Sequence, residues 1–232
     1  MKEKSISCFR FGVSYFCPVC KSEHLIKSGK TTNGKQRYEC KGCRKRFITE
    51  YSYNAYKLGV NQSIITFTKE GLGIRSTARV LKISTTTLLE RIMDIAKAIN
   101  KPIIPFGKTY EVDEMRSFVG NKNNLIWLVY ALERRTRQVV DFNVGRRTNR
   151  TLRHVTKTLE LSLSKRIYTD KLKNYKYVIS KKVHRAALYQ TNHIERMNLT
   201  LRTHLKRLNR KTICFSRNVF VLISILQIYF WG

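Results

Sequence analysis

The sequence predicts an α+β multidomain protein: an N-terminal metal-bound ribbon, a helical pair, and a C-terminal α/β domain. Three observations predict it. Two CxxC pairs stand near the start, and two short helical patterns joined by a tight turn follow them. After a segment carrying Pro102, Pro105 and Gly107, the apolar period then changes from helical to alternating. The boundaries that follow are 1–50, 51–100, a linker over 101–108, and 109–232.

The first module rests on Cys17-Pro-Val-Cys20 and Cys40-Lys-Gly-Cys43, with 19 residues between the pairs. Each CxxC turn aims two sulfurs at one point, which suits tetrahedral thiolate coordination of Zn²⁺. Leu25–Ser28 and Gln36–Glu39 read as short strands, and Asn33-Gly34 between them is a hairpin signal. The pattern is that of a zinc ribbon. Four thiolates leave no open position for water, so such a zinc is structural, and two disulfides are the competing reading. Arg37, Arg44, Lys45 and Arg46 beside the ribbon are candidate DNA contacts. Cys8 and Cys214 have no evident partner in the sequence.

The second module begins with an apolar face at Ile64, Ile65 and Phe67. A short helix over 74–81 follows, with Ser76 as its candidate cap, then a turn at 82–84 and a longer helix to about residue 99. Two helices joined so closely read as a helix-turn-helix, whose second helix presents its N-terminal residues to DNA. Thr85, Thr86, Thr87 and Arg91 are the candidate contacts. A helical hairpin that only packs has the same pattern.

The third domain carries strands over 109–114, 125–132 and 138–144, a helix over 149–162, and a strand over 166–170. A basic helix starts near Thr191, and an apolar helix runs over 219–230. Three strands, a helix, a fourth strand and later helices are in the order of a ribonuclease-H-like fold. In that order Asp113 lies on the first strand, Asp170 at the end of the fourth, and Glu195 on a helix across them. Three carboxylates so placed offer hard oxygen ligands to two Mg²⁺ or Mn²⁺ ions. Asn198, Arg202 and Lys206 continue the Glu195 face and are candidate phosphate contacts. His193 points elsewhere around the helix and is given no catalytic work.

Charge supports a polyanionic partner. There are 46 Lys and Arg against 15 Asp and Glu, a net charge of +31 spread along the whole chain. That balance favours nucleic acid, although a ribosomal or merely basic surface has it too. Acids are correspondingly scarce: between 161 and 232 there are only Asp170 and Glu195. A salt bridge or a metal would account for each of them. No run of apolar residues is long enough for a membrane span, and no apolar signal core opens the chain, so a cytoplasmic, nucleoid-associated protein is expected.

The stretch Thr191-Asn-His-Ile-Glu-Arg-Met-Asn-Leu-Thr-Leu-Arg202, with 208–216, resembles the insertion sequence one family of bacterial and archaeal transposases. Val112-Asp-Glu114, Phe118-Val-Gly120 and Tyr168-Thr-Asp170 with Tyr175 are similar to that family's other motifs. The resemblance implies a prokaryotic DNA transposase with Asp113, Asp170 and Glu195 as its catalytic triad and Arg202 assisting. It implies cleavage at the ends of an element, transfer of a 3′ hydroxyl to double-stranded target DNA, and a homo-oligomer that brings two ends together. Lys171-Leu172 departs from the glycine and tryptophan that many relatives carry after the second acid. A non-enzymatic DNA-binding regulator and a recombinase with a covalent protein–DNA intermediate are the competing readings.

Overall fold

The computed structural model describes residues 15–49, 53–186 and 190–232, so Cys8 lies outside the described residues. The chain divides into two units, 1–57 and 58–232, each described by itself.

In the first unit three strands, β1 (Leu25–Lys30), β2 (Gln36–Cys40) and β3 (Arg46–Ile48), pair antiparallel in that order. The turn before β2 needs a left-handed residue, and Gly34 supplies it at φ 76°. Leu25, Tyr38 and Phe47 with Cys17 and Cys40 form the small core. The short third strand was not expected from sequence; three residues carry too little alternation to be seen.

The second unit opens with α1 (Val60–Lys69), α2 (Ile74–Leu81) and α3 (Thr85–Ala98). Gly73, not Ser76, is the N-cap of α2, and no side chain caps it. Ser84 caps α3, its hydroxyl accepting from the Thr87 N–H at 3.0 Å. Lys82 turns the chain between them at φ 52°.

A five-stranded sheet follows in the order β6-β5-β4-β7-β8, formed by β4 (Thr109–Phe118), β5 (Leu125–Glu133), β6 (Val139–Gly145), β7 (Arg166–Thr169) and β8 (His184–Ala186). β4, β5 and β6 form an antiparallel meander, and β7 and β8 add parallel to β4. This antiparallel-then-parallel arrangement is the ribonuclease-H-like topology. The helices α4 (Asn149–Leu161), α5 (Tyr175–Val178), α6 (Asn192–His204) and α7 (Val219–Trp231) complete the unit.

Alternation along β4 separates two functions. Tyr110 and Val112 join Leu152, Val155 and Leu159 of α4 in the main core. Glu111 and Asp113 face the other way, towards α6. The segment before β4 is fastened to the sheet domain: Tyr110 donates to Pro105 O at 2.6 Å, and the Gly107 N–H donates to Ser162 O at 3.0 Å.

Apolar around most of its circumference, α7 is buried from two sides. It packs against α1, α3 and β6, and Trp231 donates to Val139 O at 2.7 Å. The helix-turn-helix and the sheet therefore share this helix. Among the described residues no helix is long and apolar enough to cross a membrane.

Candidate active site

Parallel pairing of β4 with β7 sets Val112 beside Thr169, which brings Asp113, in the middle of β4, next to Asp170, just past the end of β7. Ligand oxygens of Asp113, Glu114 and Asp170 lie within 4.8 Å of one another. Burial pushes the Asp113 carboxyl up to about 6, and the charges of Asp170 and Glu114 push the same way. Such a cluster is electrostatically expensive without a cation. The donor set is all oxygen, which fits Mg²⁺ or Mn²⁺.

Each acid is held differently. Asp113 accepts from Asn198 Nδ2 at 2.6 Å and from the Glu114 N–H at 2.8 Å. Glu114 accepts from Arg147 Nη2 at 2.8 Å and from the Tyr175 hydroxyl at 2.6 Å, so both of its oxygens are engaged. Arg147 in turn lies over the Trp127 ring at 4.3 Å. Asp170 is exposed and accepts from the Leu172 N–H at 3.0 Å.

Glu195 stands outside this group. It is exposed near the start of α6, and its Oε1 accepts from the Thr191 hydroxyl at 2.9 Å. The helix residue that reaches Asp113 is Asn198, about one turn further on, which also accepts from the buried Tyr130 hydroxyl at 2.8 Å. Arg202 lies another turn along, and its Nε is buried without a hydrogen-bond partner. Lys206 does not continue the helix face, because α6 ends at His204 and Lys206 begins a 3-10 turn.

Two residues were passed over in the sequence. Glu114 adjoins Asp113 on β4, and an acid next to a candidate ligand was a visible signal. Glu111 is fully buried and accepts from the Ile194 N–H at 3.0 Å, with His193 Nδ1 at 2.8 Å and Arg134 Nε at 3.3 Å. It anchors the start of α6 to β4.

In the ribbon the four sulfurs of Cys17, Cys20, Cys40 and Cys43 also lie within 4.8 Å of one another. Cys17 and Cys43 are 3.5 Å apart and Cys20 and Cys40 are 3.4 Å apart, so the close pairs cross between the two turns. Zinc–thiolate bonds of about 2.3 Å set tetrahedral sulfurs at a similar spacing. A side chain added at Gly42 would stand 3.7 Å from the Cys40 sulfur and 3.8 Å from that of Cys20.

The candidate DNA contacts fall on both units. Arg44 and Lys45 are exposed and Arg37 is half-buried, while Arg46 is paired with Glu39 at 2.7 Å. Thr85 and Thr86 are exposed at the start of α3. Thr87 accepts from the Ser84 hydroxyl at 2.9 Å, and Arg91 donates to Asn61 Oδ1 at 2.9 Å.

The family profile described as IS1 transposase matches residues 108–230, more than half of the chain and the whole of the sheet carrying the acids. The chain belongs to the IS1 transposase family. The profiles for the InsA N-terminal and C-terminal domains match residues 12–44 and 51–94, which cover the ribbon and the helix-turn-helix. A curated relative, the insertion element iso-IS1n protein InsB of Shigella dysenteriae, is 42% identical over 109 residues, 47% of this chain and 83% of that protein. Among solved structures, a chain of the simian T-cell lymphotropic virus intasome, solved in complex with PP2A regulatory subunit B56 gamma, aligns at 14% identity and a TM-score of 0.36. That alignment covers 70% of this chain and 66% of the other, and a likeness of that size carries no weight. Family membership establishes a transposase with DNA-binding modules and a structural zinc ribbon.

Proposed function

We propose that this transposase binds the ends of its insertion sequence as a homo-oligomer on double-stranded DNA, cleaves there, and transfers the freed 3′ hydroxyl into target DNA. The observation that carries the reading is the convergence of Asp113 and Asp170 from strands 57 residues apart in sequence, under a helix whose Asn198 holds one of them. Asp113 and Asp170 would hold two divalent ions, Mg²⁺ or Mn²⁺. Glu195 is the third acid of the family motif, exposed one turn before Asn198 and held only by a neighbouring hydroxyl. Glu114, held on one oxygen by Arg147 and on the other by Tyr175, braces β4 beside Asp113.

Ions bound there would activate the attacking oxygen and offset charge on the leaving one. The protein's own residues position and bind. Asn198 keeps one Asp113 oxygen fixed and leaves the carboxylate turned to the cluster. The unpartnered Arg202 Nε is a donor awaiting an acceptor, and a phosphate oxygen is the acceptor that DNA brings. The +31 charge of the chain supports a location on nucleoid DNA.

The test is cleavage of a labelled duplex carrying the element's own end, with Mg²⁺ or Mn²⁺, by the wild type, Asp170→Asn and Glu195→Gln. Cleavage by the wild type alone, with DNA binding kept by all three, is the expected result. Equal cleavage by Glu195→Gln would remove Glu195 from the site and return its place to Glu114.

A further inference from the structure

We propose that the cleft at the starts of β4 and β7, walled by Lys108, Lys165, Arg166 and Arg134, is a second DNA subsite that grips backbone phosphates about four nucleotides from the reacting one. The proposal rests on the reading of the chain as a DNA transposase and deepens it.

The cleft has a volume of about 570 Å³ and is lined by residues 107–109, 133–135, 165, 166 and 168, with His193. The fold forces like charges together there. The Lys165 N–H donates to Lys108 O at 2.8 Å, so two exposed lysines stand side by side on adjoining backbone. Arg166 is exposed at the start of β7, paired in register with Thr109. Among the described residues no acid forms an ion pair with Lys108, Lys165 or Arg166. The one acid of the lining, Glu133, is turned into its own hairpin, accepting from the Thr136 N–H at 3.0 Å. Lys108, Lys165 and Arg166 thus share one concave surface without an ion-pair partner, and an entering anion would relieve their mutual repulsion.

The anion is a backbone phosphate rather than a base. The aromatic face within reach, Tyr168, is covered by the Arg134 guanidinium at 4.5 Å, so it is not open for stacking. Arg134 is itself fixed, with Glu111 at 3.3 Å and Gln190 at 3.0 Å, and acts as a rigid wall. The remaining lysines and Arg166 offer charge without a base-reading geometry, which suits sequence-independent contact.

Spacing gives the register. Thr109 in the cleft and Asp113 at the cluster lie on the same face of β4, four residues or about 13 Å apart. Duplex DNA advances about 3.4 Å per nucleotide along each strand, so that distance is about four steps. One bound strand thus meets the lysines beside the start of α6 and the acids beside Asn198, further along it.

The experiment measures affinity of the full chain for a duplex of arbitrary sequence across a salt series. It compares the wild type, Lys108→Gln with Lys165→Gln, and a control carrying Arg153→Gln with Lys157→Gln on the exposed side of α4. Each pair removes two charges from exposed positions. The cleft pair is expected to lower the slope of log affinity against log salt by about 1.8, at about 0.9 per lost phosphate contact, with the control unchanged. A benzophenone at position 165, but not at 157, is expected to crosslink to DNA. Equal slopes in the two variants, or no crosslink from 165 while the wild type binds, would overturn the cleft and leave the transposase reading standing. Failure of the wild type to bind DNA even at low salt would overturn both.

Discussion

The ribbon and the five-stranded sheet each gather candidate metal ligands, yet they do so in opposite ways. In the ribbon the ligands come from two CxxC turns, so each half of the site is set by four consecutive residues. Among the described residues its core beyond the cysteines is three side chains, Leu25, Tyr38 and Phe47. In the sheet, Asp113 and Asp170 meet only because β4 and β7 pair in a particular register, behind a core of Tyr110, Val112, Leu152, Val155 and Leu159. The ribbon's cysteine cluster is set by local turns; the sheet's acid cluster is set by the fold around it.

Removing zinc should expose that difference most. Apparent binding energies of structural zinc are roughly 10–16 kcal/mol, far more than three buried side chains supply. A zinc chelator, or Cys40→Ser, is expected to abolish amide protection over 25–48 while protection in β4 and β5 persists. Hydrogen exchange read by mass spectrometry checks this, and loss of protection in both regions would break the comparison.

The sheet site should behave in the reverse sense. Asp113→Asn removes a carboxylate that burial and neighbouring acids disfavour as an anion. It is expected to abolish divalent-ion binding and cleavage while raising the unfolding midpoint in the presence of chelator. Calorimetry of Mn²⁺ binding, with a thermal scan, reads both effects. A lowered midpoint would show that the acid is needed for the fold.

The join between helix-turn-helix and catalytic helix is tested at Gly71. It adopts φ 76°, and a Cβ there would lie 2.2 Å from His204 O at the end of α6. Gly71→Ala should cost about 2–4 kcal/mol, since backbone must move. Chemical denaturation measures it, and a neutral result would mean that the turn and α6 are not held together. A smaller effect is expected at Tyr130→Phe, which deletes the hydroxyl shared by Asn198 and Ile194 O. About 1–2 kcal/mol of stability should be lost, together with part of the Mn²⁺ affinity through a loosened Asn198.

How much of this was legible follows from the range of each interaction. The cysteine spacing, the Asn33-Gly34 turn and the order of strands and helices along the last domain are local patterns and could be read directly. The alternation that puts Tyr110 and Val112 on one side and Glu111 and Asp113 on the other was also visible. The partners were not. Nothing along the chain says that Glu111 is buried under His193 and Ile194, or that Asn198 reaches Asp113 while Glu195 three residues earlier does not. Those pairings depend on how α6 is rotated over the sheet.

The sequence by itself therefore determined the modules, the four clustered cysteines, the candidate acids and the excess of positive charge. Each depends on residue type and short-range spacing, which backbone geometry converts to structure without distant contacts. Only the tertiary structure decided which acids converge, that α7 packs against both the helix-turn-helix and the sheet, and that Lys108 and Lys165 flank one cleft. Those outcomes are set by strand register and helix rotation, and both are fixed by burying apolar faces that lie far apart along the chain.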